Sequence, residues 1–446
     1  MASIRTAAVA GLFYPGESSA LAAEVRALLD GIDPPAPRLG FPKALIVPHA
    51  GYIYSGPVAA RAYDELSAAR GIVRRVVLLG PVHRVPIRGL AAPTAEAFQT
   101  PLGPIAVDRA ALRALKDLPQ VLQSDRAHAL EHSLEVQLPF LQTLLGEFSL
   151  VPLAVGSASV AEVAEVLERL WGGDETLIVI STDLSHYLGY DEARAVDAAT
   201  LARIAACASD IDHDEACGAT PLNGLLWYAR RRKLEVRLLA ACNSGDTAGE
   251  KDRVVGYSSF GVYHEAQREA GALLLGIARG AIEQRLFAKA PVSANSAWLR
   301  QPGASFVTLL KAGALRGCIG SLEATRSLGA DIAENALGAA FRDPRFPALC
   351  SEEWPQCEVE ISLLSAPRRL AFSDEADLFS QIVPDDDGLI LEAGGRRATF
   401  LPQVWASVPD KRAFLAELVR KAGLPPDTAL TSCTIHRYRV VKFHGR

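Results

Sequence analysis

Three histidines of the sequence each follow a short apolar run, and imidazoles in such positions can bind a metal ion or move protons. His49 comes two residues after the run 44–47, and His83 and His186 follow comparable runs. If these runs are strands of an open α/β sheet, the three side chains converge, because ligands of such sheets bind beyond the carboxyl ends of the strands. Any one of them alone would fit a hydrogen-bonded structural role, but the three together favour a functional site.

Cys217 is the residue best placed to add an anionic ligand to these neutral imidazoles. It lies just before a predicted helix over 221–233, where the helix dipole and free backbone amides would favour a thiolate. A small side chain packed at a helix start would require the same residue type. Ligands drawn from His and Cys suit iron, copper and zinc alike, and a set of three leaves coordination positions open for a substrate.

Two further pairs of residues indicate acid–base chemistry. Asp183 and His186 are three residues apart, so the carboxylate can fix the tautomer of an imidazole that acts as a ligand or as a general acid and base. Glu131 and His132 open a predicted helix and would serve either as a second such pair or as a cap with a solvated charge. Ser181 also permits a hydrolase triad with Asp183 and His186, which the sequence disfavours because it lacks a G-x-S-x-G elbow.

The elements that must position these residues are Val-, Ile- and Leu-rich runs, which alternate with stretches of helical spacing from residue 43 to 263. Continuous apolar strands that alternate with helices are typical of a mostly parallel sheet covered on both faces. The predicted strands are 44–47, 75–79, 150–155, 177–180 and 236–240, and the predicted helices are 17–30, 57–70, 133–145, 159–171, 191–207 and 221–233.

The pattern changes near residue 265, which predicts a domain boundary there. Residues 265–287 are expected to form a new helix, and a Pro- and Ser-rich joint over 291–303 leads into a different mixture of helices and strands. We therefore expect two domains, 1–265 and 266–446. Most of the nine histidines precede the boundary, which assigns any metal chemistry to the first domain.

Composition narrows the class of protein. A formal net charge of -5 over 446 residues provides no basic field that would attract nucleic acid or an anionic membrane. The apolar runs are much shorter than the roughly 18 residues that a membrane helix needs. The seven Cys include no C-x-x-C pair, which argues against both a secreted disulfide framework and a zinc ribbon. We expect a cytoplasmic protein that binds neither nucleic acid nor membrane.

Six motifs of the first 264 residues, taken in order, resemble the Memo family. They are A-V-A-G-L-F-Y-P at 8–15, P-H-A-G-Y at 48–52, G-P-V-H at 80–83, E-H-S-L-E at 131–135, S-T-D-L-S-H-Y at 181–187 and A-C-G at 216–218. The resemblance implies an α/β fold like that of class III extradiol ring-cleaving dioxygenases, in which a mostly parallel sheet has helices on both faces and forms three layers.

The resemblance also implies roles for individual residues. His49, His83 and Cys217 stand where the family holds a redox metal, which would be iron or copper rather than zinc. The catalytic residues that it implies, lining the same pocket, are His186, Asp183 and His132.

The string L-R-G-C-I-G at 315–320 is the clearest motif of the second half. Its two glycines allow a tight, exposed turn around Cys318, with Arg316 free to bind an anion or carboxylate, although a structural turn would need the same residues. This string, D-P-R-F-P at 343–347 and T-F-L-P-Q-V-W at 399–405 resemble the AMMECR family. That resemblance implies a smaller α+β domain and names no reaction.

A Memo-like half joined to an AMMECR-like half resembles the AmmeMemoRadiSam grouping, in which the two occur beside a radical SAM protein. The resemblance implies such a protein as partner, together with a small-molecule substrate. Two hypotheses follow: a metal-dependent oxidoreductase or dioxygenase in that pathway, and a non-enzymatic protein that binds metal, peptide or a pathway intermediate on a dioxygenase scaffold. A zinc hydrolase is a third hypothesis.

Overall fold

The computed structural model describes residues 3–32, 40–264, 270–290 and 296–445. They divide into two compact units, the first formed by the described residues up to 264 and the second by those from 270 onward. The predicted boundary near residue 265 lies in the segment 265–269, which is outside the described residues. The start of the predicted joint, 291–295, is also outside them. Among the described residues, none of the helices combines the length and the apolar character that a membrane span requires.

The first unit is an α/β fold. Its strands are β1 Ile4–Arg5, β2 Ala44–Val47, β3 Arg75–Pro81, β4 Leu90–Ala92, β5 Ala97–Thr100, β6 Gly103–Ala106, β7 Val121–Gln123, β8 Ser149–Val155, β9 Thr176–Ser181, β10 His186–Leu188, β11 Glu235–Asn243 and β12 Val254–Tyr263. Its helices are α1 Ser18–Asp30, α2 Tyr52–Tyr63, α3 Arg109–Arg113, α4 Asp125–Ala129, α5 Leu138–Leu145, α6 Val160–Leu170, α7 Tyr190–Ala205 and α8 Ala219–Arg231.

The main sheet has the strand order β10-β12-β2-β9-β3-β8-β4-β7, with β11 paired to β12. Its central strands β2, β9, β3 and β8 are parallel, whereas β12 and β4 join them antiparallel. Every residue of β2 and β9 is buried, as expected for strands covered on both faces. Helices α1, α2 and α5 contact one another, and α6 packs on α8. The predicted fold class is confirmed, with parallel pairing in the centre of the sheet.

Helix α2 begins at Tyr52, five residues before the predicted start at Pro57. Pro57, where the predicted helix started, lies inside the helix. Its missing amide leaves the carbonyl of Ile53 without a helical hydrogen bond, and Ile53 is 66% exposed, so water can reach this turn. The helix starts immediately after the P-H-A-G segment, so His49 lies just before its N-terminal end.

The second unit is an α+β fold with two sheets. Its strands are β13 Pro302–Lys311, β14 Ala314–Gly320, β15 Arg326–Ser327, β16 Cys357–Leu364, β17 Arg368–Arg369, β18 Gly388–Ala393, β19 Arg396–Phe400, β20 Thr434–Tyr438 and β21 Val440–Gly445, and its helices are α9 Ala270–Phe287, α10 Leu328–Phe341, α11 Glu375–Gln381 and α12 Lys411–Lys421. One sheet has the order β14-β13-β16-β21 with β15 paired to β13, and the other has the order β17-β20-β18-β19.

The predicted turn around Cys318 is wrong, because the motif 315–320 belongs to strand β14. Cys318 pairs with Thr308 of β13 in antiparallel register. Gly317 is needed for close packing and not for a turn. A Cβ at this position would lie 2.1 Å from the carbonyl oxygen of Ala339 on helix α10. Glycine at this position allows the helix to approach the strand.

Arg316 is not free to bind an external anion, which corrects the second expectation about this motif. Its side chain is only 9% exposed and lies 2.8 Å from the carboxylate of Glu353. A second nitrogen of the guanidinium donates to the other oxygen of the same carboxylate at 2.9 Å. Bidentate pairs of this kind are the strongest that arginine forms, and the partner belongs to the same unit of the chain.

Candidate functional site

Three imidazoles lie together at one end of the main sheet. His49 follows β2, His83 follows β3, and His132 precedes a short 3-10 turn at 135–137. Ring nitrogens, one from each residue, lie within 4.8 Å of one another. The ring centroids of His49 and His83 are 5.2 Å apart, and His132 lies 5.4 Å and 4.8 Å from them. The described residues thus contain a cluster of three histidines that could hold a metal ion, in which His132 joins two of the predicted ligands.

His49 is held from both its backbone and its ring. Its amide donates to Oδ1 of Asp183 at 2.7 Å, and its Nδ1 lies 2.8 Å from Oγ of Ser181. The residue is only 2% exposed. Burial lowers the pKa of His49 to about 3, and the neighbouring His83 adds to the effect. The ring is therefore neutral at neutral pH and has one nitrogen left for an ion.

The carboxylate of Glu131 holds the two other imidazoles. It accepts hydrogen bonds from the backbone amides of His83, His132 and Ser133 at 2.6 to 2.9 Å. It also accepts from Nδ1 of His83 at 2.9 Å, and Nδ1 of His132 lies 3.4 Å away. Burial acts to raise the pKa of Glu131, but the hydrogen bonds and charge of His83 and the backbone amides outweigh it and lower the pKa to about 2.

Glu131 is therefore a buried anion, and the alternative of a cap with a solvated charge is wrong. Its side chain is 2% exposed, and helix α5 begins only at Leu138, after the 3-10 turn. Burial lowers the pKa of His132 to about 4, with a further contribution from His49. The cluster thus combines the neutral imidazoles of His49 and His132 with one fixed negative charge behind them, an arrangement that orients ligands and raises their basicity.

Cys217 lies beside the cluster but is not one of the three mutually close donors. Its Sγ is 3.4 Å from Nε2 of His49 and accepts a hydrogen bond from the amide of Asp183 at 3.3 Å. Burial raises the pKa of Cys217 to about 12, and the charge of Asp183 adds to it. The expectation that the start of helix α8 favours a thiolate is wrong for the metal-free protein, because burial outweighs the helix dipole.

Asp183 and His186 do not form the predicted hydrogen-bonded pair, although both lie in the described part of the chain. Nδ1 of His186 is 2.8 Å from the carbonyl oxygen of Leu184. Because a carbonyl only accepts, it fixes the proton of His186 on Nδ1 and leaves Nε2 as an acceptor. Asp183 is turned toward His49 instead, and burial raises its pKa.

Sequence reasoning named Ser181 only as a possible nucleophile and assigned no role to Gln137 or Phe13. Ser181 is fully buried and donates to the carbonyl of Ser133 at 2.7 Å, so the hydrolase alternative has no accessible nucleophile. Gln137 contacts the same hydroxyl at 2.9 Å, and the ring of Phe13 lies 4.8 Å from that of His132. The position of Ser181 directly after the predicted strand 177–180 is the signal that could have indicated a supporting role for it.

The donors present fit a transition metal. Imidazole nitrogens and a thiol suit iron, copper or zinc, whereas magnesium and calcium require oxygen ligands. Two of the three imidazoles, His49 and His83, have Nδ1 engaged with a hydroxyl or a carboxylate, which leaves Nε2 for an ion.

In the second unit, the sulfur of Cys318 accepts a hydrogen bond from the hydroxyl of Thr308 at 3.2 Å.

Two family models match the chain. One described as "Memo-like protein" matches residues 5–261, and one described as "AMMECR1" matches residues 275–443. A MEMO1 family protein of Aeropyrum pernix is 36% identical over 282 residues, which cover 58% of this chain and 99% of the relative. A MEMO1 family protein of Aquifex aeolicus is 34% identical over 267 residues, covering 57% and 97%. The solved structure of uncharacterized protein PH0010 from Pyrococcus horikoshii is 33% identical, covers 40% of this chain and 91% of its own, and has a TM-score of 0.36.

Proposed function

We propose, from the premise that the chain belongs to the Memo-like family and also carries an AMMECR1 domain, that it is a metal-dependent redox enzyme of the oxygenase type. The metal would be iron or copper, and the substrate a small molecule that reaches the histidine cluster. The observation that carries the proposal is the group of three imidazoles with ring nitrogens within 4.8 Å of one another. The proposed domains are 1–265 and 266–446.

His49 and His83 are the ligands common to both sets of donors that the site offers. The third ligand is Cys217, as the family resemblance implies, and the 3.4 Å between its Sγ and Nε2 of His49 supports this choice. His132 is the competing third ligand, since its ring belongs to the same group of nitrogens. The two sets differ in charge, because only the cysteine must lose a proton to bind.

Bound iron or copper would supply Lewis acidity and electron transfer at the positions that the protein ligands leave open. The protein supplies orientation and proton transfer. His186, whose Nδ1 donates to the carbonyl of Leu184, offers Nε2 as an acceptor for a substrate proton. Phe13 covers one side of His132 and limits the access of water to the cluster.

The presence of an AMMECR1 domain supports the prediction of a pathway shared with a radical SAM protein, which would contribute its own iron–sulfur cluster. A cytoplasmic location is part of the same proposal. The alternative function is a non-enzymatic protein that binds metal, peptide or a pathway intermediate in the same pocket.

Anaerobic purification followed by metal analysis and absorption spectra before and after exposure to O2 tests the proposed function. The full-length protein should hold about one iron or copper ion per chain and change its spectrum with O2. His49→Ala and His83→Ala should lose the metal, while His444→Ala, an exposed histidine of the second unit, should retain it. Stoichiometric zinc and no response to O2 would support a hydrolase, and a metal-free protein unaffected by His49→Ala would favour the binding-protein alternative.

A further inference from the structure

A buried chain of hydrogen bonds leads from Tyr63 through Gln137 and Ser181 to the ring of His49. Neither the glutamine nor the serine has any exposed surface, and the two rings are almost completely buried as well. Every polar atom of such a chain must find a partner inside the protein, because water cannot reach it. The position of each proton can therefore be worked out from what the neighbouring atoms are able to donate or accept.

The orientation of the Gln137 amide is fixed by a backbone carbonyl. One end of the amide lies 2.9 Å from the oxygen of Pro48, and a carbonyl oxygen only accepts, so this end must be the NH2 group. The other end, Oε1, lies 2.8 Å from the hydroxyl of Tyr63. Burial raises the pKa of Tyr63 well above its usual value, so the hydroxyl keeps its proton and donates it to the amide oxygen.

The carbonyl of Ser133 and the amide of Gln137 account for two of the three contacts of the Ser181 hydroxyl. The hydroxyl carries one proton and two lone pairs. The proton is used on the carbonyl of Ser133, 2.7 Å away, because that oxygen can only accept. One lone pair accepts from the NH2 group of Gln137 at 2.9 Å. The remaining contact, 2.8 Å to Nδ1 of His49, can be a hydrogen bond only if His49 donates.

We propose that Ser181 is a positioning residue that holds the proton of His49 on Nδ1, so that Nε2 presents its lone pair to the metal ion. The inference rests on the proposed function for the identity of what Nε2 binds. In the metal-free protein the same nitrogen faces Sγ of Cys217 at 3.4 Å. With the proton on Nδ1, Nε2 is an acceptor toward this sulfur.

His83 and His49 use different means to reach the same tautomer. His83 donates Nδ1–H to the carboxylate of Glu131, an anion that accepts regardless of its other contacts. His49 lies deeper, where a second carboxylate in place of Ser181 would bring another negative charge into a buried site at a large desolvation cost. The Ser181 hydroxyl, whose other hydrogen bonds are already formed with Ser133 and Gln137, accepts from Nδ1 of His49 without adding a charge.

The nitrogen chemical shifts of His49 in the metal-free, full-length protein test the inference directly. Protein labelled with 15N-histidine should show His49 as a single neutral tautomer with the proton on Nδ1, assigned by comparison with His49→Ala. Ser181→Ala removes the acceptor, so His49 should become a mixture of tautomers and Fe2+ affinity, measured anaerobically, should fall about 10- to 100-fold. Ser181→Thr, which keeps the hydroxyl, should retain the single tautomer.

Ser133→Ala is the matched control, because this serine is equally buried but contributes only its carbonyl to the chain. It should leave the tautomer unchanged. If Ser181→Ala does not fold, Ser181→Cys places a much weaker acceptor of similar size at the same position and should also give a mixture. A wild-type His49 protonated on Nε2, or an unchanged tautomer in both variants, would overturn the inference. The stated tautomer together with a failure to bind Fe2+ would instead contradict the proposed function alone.

Discussion

The carboxylate of Glu131 accepts a hydrogen bond from Nδ1 of His83 at 2.9 Å, across 48 positions of the sequence. The same carboxylate is almost completely buried, yet its pKa is lowered to about 2 because His83 and three backbone amides donate to it. Because this buried anion accepts a hydrogen bond from the ring of His83 and lies close to the ring of His132, it can orient both imidazoles. The metal site therefore depends on a residue that does not need to touch the metal.

Glu131→Gln should weaken metal binding. The amide keeps the size of the side chain but loses its charge and presents only one oxygen for four donors, so both imidazoles lose their fixed orientation. We expect Fe2+ affinity, measured anaerobically by competition with a chelator, to fall about 10- to 100-fold. Glu168→Gln on the exposed surface of helix α6 is the control and should bind as wild type does. Equal affinity of the two variants would show that Glu131 does not position the ligands.

Metal binding at neutral pH should release about one proton per ion if Cys217 is the third ligand. The pKa of Cys217 is raised to about 12, so the thiol must lose its proton to bind, whereas His49 and His132, with pKa values of about 3 and 4, are already neutral. Calorimetric titration with Zn2+ in buffers of different ionisation enthalpy measures the number. Cys217→Ala should reduce it to about zero. Metal binding without proton release in the wild type would identify His132 as the third ligand.

Acid should weaken the second unit through Glu353. The hydrogen bond from Arg316 lowers the pKa of Glu353 to about 2. A carboxyl group with a depressed folded-state pKa stabilises the fold above its unfolded pKa of about 4.3, and this contribution is lost as the pH falls from there toward about 2. Because solvent reaches part of this pair, we expect Glu353→Gln to lower the free energy of unfolding at neutral pH by about 1 kcal/mol.

Urea unfolding at several pH values between about 2 and 7 checks this prediction. The variant should show a flatter dependence of stability on pH than wild type within the window from about 4.3 to about 2. Glu375→Gln, at an exposed carboxylate of the same unit, is the control for the general effect of removing a charge. Parallel pH profiles of wild type and Glu353→Gln would contradict the assignment.

Two glycines of the second unit should respond in opposite directions to substitution by alanine. At Gly317 a Cβ would lie 2.1 Å from the backbone oxygen of Ala339, so helix α10 must move and we expect a loss of about 2 kcal/mol or more. At Gly276, inside helix α9, a Cβ meets nothing within 4 Å, so alanine should stabilise by about 0.5 to 1 kcal/mol. Thermal unfolding of both variants measures the difference. A Gly317→Ala protein as stable as wild type would show that the strand and helix can separate without cost.

The sequence by itself determined the α/β class, the central strands and the placement of His49 and His83 at strand ends. The reason is that unbroken Val, Ile and Leu runs are stable only where both faces of a sheet are covered, and this requirement can be read without knowing the packing. The family resemblance, carried by ordered motifs, was confirmed over both halves of the chain.

The family resemblance implied that His132 lines the pocket of His49 and His83, but only the tertiary structure decided how close these rings lie and in what state the pocket residues are. His132 comes from a segment outside the predicted strand ends, and its place beside His49 depends on how the loop before α5 folds over the sheet. The protonation of Cys217 reverses the sequence expectation because burial, a property of the whole fold, outweighs the local helix dipole. Arg316 likewise found its carboxylate in Glu353, 37 residues away. Local patterns specify helices and strands, whereas hydrogen-bond partners and pKa values depend on side chains that packing brings together from distant parts of the sequence.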